Sequence, residues 1–545
     1  MTSRSLGHRA PLLWLVLPLI AGIAAGRYGP STNPGWLLTG AMFAALLAVL
    51  AAWRAPRLWA MPIGIALLLA GDASYTLRRA RLAAWEHLPP REARLALRVD
   101  RVFPQADTNK SAGLATIVHA EEHLPELTGQ RVYFSLGLRP GEPAPIRSMV
   151  IATVGVLTPL PENPPATTFD AYLADAGMNF RLARGRVLAV EQPPTRYRVF
   201  CDHLAQRLNA ILSAGVAAKR PELAAVYRAM MLGQKHELSM EQDQLFMHSG
   251  TMHLFAINGL HIGVVAMAVH ALLLLARCPR PAVAVLTLLV LWLDVDTTGA
   301  SPSAVRAWLL VAAYETAFAL RLPANGIAAL AAAALGVLLV QPMALFSASF
   351  QMSYGVVLAI LCFGLPLAER LAANFPPWPN LPEITWTWWQ RRIAWAVRKF
   401  WPVLGIGLAA WLVGAVTGAA FYRVFTPGGL VANLVLVPLA MLVITAGFAS
   451  ITLGLSGLTA ASVLLNHAAV LVLVVIDALI RLGQRVPGVW WPAEWHAPWL
   501  GTVTLAALLA AMLAGYARGW RGWSRGFWPP FAVVVLALVF GMKLG

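Results

Sequence analysis

The sequence predicts a polytopic α-helical membrane protein, with about 11–13 spans, that carries a small extracytoplasmic β-barrel domain of OB-like type. Three observations predict this. The 545 residues are 58% hydrophobic and only 12% charged, with a mean hydropathy of +0.64. Apolar residues come in repeated runs of roughly 17–25, the length that crosses a hydrocarbon core of about 30 Å. One large polar stretch, residues 78–197, interrupts those runs and alternates as strands do.

In chain order, spans are expected near 12–27, 36–53, 57–75, 252–276, 281–298, 303–321, 325–341, 346–366, 400–422, 429–455, 458–480, 499–517 and 527–543. The first follows Arg4, His8 and Arg9 and could be read as a secretory signal, but two apolar spans follow directly, which favours a retained helix. The formal net charge of +17 is largely a topology signal. The clusters at Arg54 and Arg57, Arg277 and Arg280, Arg321, Arg391 to Lys399, and Arg518 to Arg525 fall on the side of the N-terminus. The positive-inside rule makes that side cytoplasmic. Arg481 and Arg485 fall on the other side and fit the rule poorly. The chain is thus expected in the cytoplasmic (inner) membrane, multi-pass, with a cytoplasmic N-terminus.

Three N-terminal helices (1–77) place the polar region (78–197) outside. Ala93–Phe103, Leu114–Leu124, Gln130–Leu138, Ser148–Leu157 and Leu182–Gln192 are rich in β-branched residues and bounded by Gly, Pro, Asn and Asp. Five strands in about a hundred residues suit an OB-type barrel. A short helix, Thr168–Gly177, falls between the fourth and fifth strands, whereas an OB-fold carries its helix after the third. Residues 198–249 are amphipathic. Leu204, Leu208, Ile211 and Leu212 share one face, and Leu223, Val226, Tyr227 and Met230 another, beyond the Lys219-Arg220-Pro221 break. Such helices lie in the membrane interface or against a bundle. Ser239 with Gln242 forms a capping box. Residues 250–545 complete the membrane domain. Cys201, Cys278 and Cys362 are scattered, which indicates no disulfide framework and no metal site. No Walker, HExxH, GxSxG or kinase signature is present, so no energy source, catalytic residue or cofactor is expected.

Four polar interruptions stand out in the apolar runs. Met252–Gly263 carries His253 and His261 beside Asn258-Gly259, a pair that should loosen or break a helix. The alternative is a glycine at a close helix crossing, with the histidines bonded to carbonyls. Their spacing of eight is not that of helical zinc ligands. Next, Ser301-Pro302 should open a helix and put Arg306 about one turn inside the membrane. There the guanidinium must pair, with Asp294, Asp296 or Glu315 as candidates, or face a hydrophilic route as a phosphate contact. Ser349–Gly355 threads Gln351 and Ser353 through an apolar helix, and Gly428–Leu439 sets Asn433 before Pro438, a second expected discontinuity.

At these residues the chain resembles the ComEC family, the inner-membrane channels of DNA uptake in natural transformation. That family carries HLxAISGLH, PSxxRA, FQLS and NLxxxP segments, here His253–His261, Pro302–Ala307, Phe350–Ser353 and Asn433–Pro438. Asn258 replaces the usual Ser, and Met352 the usual Leu. Leu232–Ser239 and Glu162–Met178 also fit the family pattern. The resemblance implies a competence channel for single-stranded DNA, lined by His253, Asn258, Gly259, His261, Arg306, Gln351 and Asn433. Its β domain would receive DNA on Phe103, Tyr133 and Phe134. Partners would be a periplasmic DNA receptor, a separate nuclease, a cytoplasmic DNA-pulling ATPase and membrane lipid, with a homo-oligomer compatible. Many relatives add a metallo-β-lactamase-like nuclease domain. No HxHxDH occurs here, so strand hydrolysis is expected from another protein, unless the chain is a shortened member. The rival readings are a transporter of another anionic polymer or small anion, and a membrane-embedded enzyme using His253 or His261 as acid or base.

Overall fold

The computed structural model describes residues 10–30, 32–54, 58–103, 105, 107, 109–121, 124–139, 141–161, 164, 168–255, 259–323, 325–520 and 526–544. A helix occupies each of the thirteen expected spans. Three come first: α1 (Leu13–Tyr28), α2 (Pro34–Arg54) and α3 (Ala60–Trp85). A β domain and three shorter helices follow, α4 (Phe169–Asp175) within the β domain, then α5 (Arg196–Ser213), α6 (Pro221–Leu232) and α7 (Met240–His248). The remaining apolar helices are α8 (Gly259–Leu275), α9 (Arg280–Thr297), α10 (Pro302–Ala319), α11 (Gly326–Val340) and α12 (Ala348–Asn374). The last five are α13 (Trp388–Phe421), α14 (Gly429–Leu455), α15 (Thr459–Gln484), α16 (Pro498–Ala517) and α17 (Pro529–Gly541). Among the described residues seven helices are long and apolar enough to cross a membrane: α2, α3, α12, α13, α14, α15 and α16. Four more, α1, α8, α11 and α17, are apolar but shorter. Exposed Trp36, Met42, Phe43, Leu46 and Trp53 line α2. A bare apolar surface of this kind is stable against lipid and unfavourable in water.

The strands are β1 (Arg91–Phe103), β2 (Lys110–Ala120), β3 (Arg131–Gly137), β4 (Val150–Pro159) and β5 (Phe180–Gln192). They close a barrel in the order β1-β2-β3-β5-β4, with β3 and β5 parallel. Closure depends on β1. Its first half, Arg91–Arg98, pairs with β4, and its second, Leu95–Phe103, pairs with β2. Register shifts at Ala96/Leu97 and Val99/Arg101 supply the bend between the halves. Leu95, Leu97, Val99, Ile117, Val132, Phe134, Ile151 and Leu182 alternate inward and fill the interior. Gly113 makes room for this packing, since a Cβ there would lie 2.1 Å from the Arg101 carbonyl oxygen and 2.8 Å from the Phe134 ring. As the sequence order requires, α4 sits between β4 and β5, capped by the Thr168 hydroxyl. It lies outside the barrel, over Ala112, Leu114 and Tyr133 of β2 and β3, through Leu173 and neighbouring Met178.

The barrel rests on one end of the helical bundle, here termed the barrel side. Gln341, just after α11, donates to the Asp175 carbonyl at 2.9 Å. Arg78, near the end of α3, donates to the Val340 carbonyl at 2.7 Å. Asp296, at the end of α9, accepts from Arg147 of the β3–β4 connection at 2.6 Å. Helices alternate in direction, so α8, α10, α12 and α14 all begin on the barrel side. Each of the four polar motifs occurs at such a beginning.

Asp175 tests how firmly this contact is made. Burial pushes its carboxyl up to about 6, against the pull of the Arg27 guanidinium. A carboxyl whose folded pKa exceeds the ordinary value of about 3.9 holds its proton longer when folded. Stability is then greatest below that ordinary value and declines as pH rises through about 6. Asp175→Asn is expected to flatten that decline and to stabilise the protein at neutral pH by about 1–2 kcal/mol, allowing for partial solvent screening. Thermal unfolding of purified protein between pH 4 and pH 7 measures this. An unaltered pH slope in the variant contradicts it.

One local expectation is corrected. The expected discontinuity at Asn433–Pro438 is absent, because α14 runs unbroken through Pro438. Gln351 and Ser353 lie within an apolar helix, α12, as the sequence indicates, and Gln351 is near its start. It follows the Ser347 cap and donates to the Leu345 carbonyl at 3.2 Å.

Candidate functional site

Met252–Gly263 forms a one-turn 3-10 helix, Met252–Phe255, and then the start of α8 at Gly259. Asn258, the residue expected at the break, lies outside the described residues. From Gly259 to Leu275 α8 is continuous, so no break falls within those residues. A Cβ on Gly259 would meet nothing within 4 Å, so no close helix crossing explains this glycine. His253 is exposed and hydrogen-bonds the Gly250 carbonyl, and His261 is buried close enough to interact with it electrostatically. Gly250 has a positive φ of 70° and abuts Thr426 and the Gly429 backbone, at the start of α14.

Neighbouring contacts join the four motifs. Leu254 and Phe255 of the first share a core with Leu436 of the fourth. Ile262 of the first, with the adjoining Val265, packs with Ala304 of the second. Arg306 of the second donates from Nη2 to the Ser349 carbonyl at 2.8 Å and the Ser349 hydroxyl at 2.7 Å, beside the third. The order in space is therefore fourth, first, second, third, around the barrel-side ends of α14, α8, α10 and α12.

Arg306 is the most unusual of these residues. Its side chain is buried, 6% exposed, beneath exposed Ser349. Among the described residues it makes no ion pair, and its Nε has no partner. Of the three expected carboxylates, Asp294 forms no ion pair with Arg306 among the described residues, and the other two are engaged elsewhere. Asp296 accepts from Arg147 at 2.6 Å, Arg198 at 2.7 Å and the Tyr197 hydroxyl at 3.0 Å. Glu315 meets His270 at 2.7 Å. The Tyr354 hydroxyl, buried and without a partner, lies within electrostatic reach of Arg306. Asn433 is half-buried one turn into α14, its amide oxygen also without a partner. Polar atoms left open in this way are rare in a packed interior and mark a place where another polar group can bind.

On the barrel, the three aromatic candidates separate. Phe134 is wholly buried in the interior and presents no face to a ligand. Tyr133 points outward but is 9% exposed beneath α4. Phe103 remains half-exposed and stacks on Tyr133, with centroids 6.3 Å apart. The sequence reading missed the other half of this patch. Phe169 and Tyr172 of α4 are 46% and 41% exposed and stack on each other at 5.8 Å. Arg101 lies 5.3 Å over the Phe103 ring and near Tyr172, while Arg181 lies 5.9 Å over Tyr133. Two aromatics three apart on the short helix Phe169–Asp175 were the available signal.

Over residues 230–518 the chain matches the family model described as "Competence protein". The match covers more than half the sequence and includes all four motifs. The chain belongs to the competence protein family. Its sequence is 25% identical over 201 residues to ComE operon protein 3 of Bacillus subtilis (strain 168), covering 36% of this chain and 25% of that protein. The chain therefore aligns with about a quarter of the length of that curated relative. No solved structure matches. Within this competence protein the family match begins inside α6 and ends just after α16, so the barrel lies upstream of it.

Proposed function

We propose that this competence-family chain is a channel of the inner membrane that passes single-stranded DNA into the cytoplasm during natural transformation, with the barrel on the outer side. The observation that carries the reading is the convergence of four polar motifs at the barrel-side ends of α8, α10, α12 and α14, around a buried arginine that has no counter-charge among the described residues. A phosphodiester would supply the anion that Arg306 lacks, through planar, charge-assisted hydrogen bonds. His253, Gly259, His261, Gln351 and Asn433 would flank that contact, with Asn258 in the adjoining segment. The barrel would meet DNA first, by stacking on exposed rings and attraction to arginines. Phe103, Phe169 and Tyr172 take that role, with Arg101 and Arg181; Tyr133 supports the patch and Phe134 belongs to the core. A periplasmic DNA receptor and a cytoplasmic DNA-pulling ATPase would act with it.

Deleting the gene is expected to stop labelled DNA reaching the cytoplasm while surface binding persists. Normal entry in the deletion strain rules the reading out. Replacing Phe169 and Tyr172 together with Ala is expected to weaken binding of a fluorescent oligonucleotide to the purified full chain. Base stacking is worth about 1–3 kcal/mol per base, so the loss should be about tenfold or more. Fluorescence anisotropy at moderate salt reads it, and undiminished affinity removes the barrel patch from the route.

A further inference from the structure

The amphipathic pair α5 and α6 does not lie flat on the barrel side. α5 begins there, with Arg198 and Tyr197 on Asp296 at the end of α9. Its last turn reaches the opposite end of the bundle. A Cβ on Gly454, one residue before α14 ends, would stand 2.7 Å from Ile211. Asn466, in the far half of α15, donates to the carbonyls of Ile211 at 2.7 Å and Ala214 at 3.2 Å. Gly215 in the following turn packs on Val463 and His467 of α15. Returning, α6 packs through Tyr227 and Met231 on Gly447 of α14. Between Arg198 and Ile211 a helix rises about 20 Å, most of a hydrocarbon core of about 30 Å.

At that depth α5 is two-faced. Cys201, Leu208 and Leu212 face the bundle and are buried. Arg196, His203, Gln206 and Arg207 are exposed along the other side, and Lys219 and Arg220 are exposed at the turn. Asp202 is the only carboxylate on α5, and Gln206 hydrogen-bonds it at 2.8 Å. Polar and cationic side chains at membrane depth face protein or water, not lipid. The excess of positive charge selects an anion.

We propose that α5 and α6 form a re-entrant hairpin crossing most of the membrane, and that the His203, Gln206 and Arg207 stripe walls a water-filled groove for the phosphodiester backbone of a polyanion. Only the identity of the occupant rests on the DNA-passage reading; the groove stands on the packing of α5. Single cysteines at His203, Arg207, Ala210 and Lys219 would be placed in a full chain whose Cys201, Cys278 and Cys362 are Ala, in membrane vesicles of both orientations. An impermeant thiosulfonate should label the first three sites in sealed vesicles. It should reach Lys219→Cys only from the side opposite the barrel, and should leave Leu471→Cys, on the exposed face of α15, unlabelled. Labelling by a lipid-soluble maleimide alone would overturn the groove, as would disulfide-linked dimers through Arg207→Cys, which would show a second copy covering the stripe. Access to Lys219→Cys from the barrel side alone would overturn the re-entrant path. Arg207→Glu is then expected to cut DNA entry at least tenfold at unchanged protein level. Normal entry with labelling intact would leave the groove standing and overturn the polyanion as its occupant.

Discussion

Arg306→Ala is expected to lower entry of labelled DNA by at least tenfold, with surface binding retained. The guanidinium is permanently charged, 6% exposed and held only by the carbonyl and hydroxyl of Ser349 among the described residues. A charge kept at membrane depth without a carboxylate is costly, by about 2.5–3.5 kcal/mol on insertion scales. Truncation to Ala should therefore not weaken the fold through a lost ion pair, and the protein should remain at normal abundance. What it removes is the open Nε and the fork that a phosphate would meet. Arg306→Lys keeps the charge without that fork and should recover entry only in part. Uptake assays paired with quantification of the membrane-inserted protein separate these outcomes. Full entry in the Ala variant at normal abundance removes Arg306 from the route. Loss of the protein itself, recovered by Lys, assigns it a structural role.

Asp296→Ala is expected to loosen the barrel from the bundle. Its carboxylate has no solvent exposure and gathers Arg147 from the barrel, Arg198 and Tyr197 from the start of α5, and the end of α9. Removing one member of such a buried network leaves the guanidinium groups uncompensated, which typically costs about 3–5 kcal/mol. Asp296→Asn retains an acceptor oxygen and should cost less. Hydrogen exchange in nanodiscs reads the effect directly. Protection should fall around residues 144–149 and 196–199 while the barrel interior stays protected. Equal protection throughout would show that Asp296 does not hold the two parts together. Because α5 leaves this junction towards the far side, the variant also reports on how the hairpin is anchored.

Much of this architecture was legible in the chain. Apolar runs of span length mark helices because the bilayer sets their length and forbids unsatisfied backbone. Period-two alternation in residues 91–192 marks strands because successive side chains take opposite faces. The Ser301-Pro302 start of α10 and the Ser239–Gln242 box are local hydrogen-bonding facts and were readable as such. The placement of Asp296 and Glu315 was not. Both lie near Arg306 in sequence, yet their partners are Arg147, Arg198 and His270, chosen by which helix faces meet. Nor could alternation alone distinguish the buried ring of Phe134 from its outward neighbour Tyr133, which α4 then covers.

The sequence by itself determined the element order, the membrane setting, the barrel and the four polar motifs, since each depends on interactions within a few residues or on transfer from water to lipid. Only the tertiary structure decided that the motifs meet at the barrel-side ends of four helices, and that Arg306 has no carboxylate partner among the described residues. It alone also decided that α5 descends along α14 and α15 and does not lie flat. Those outcomes rest on contacts between residues up to 255 positions apart, as between Asn466 and Ile211. Hydrophobic periodicity shows which face a helix buries but not the partner it buries it against.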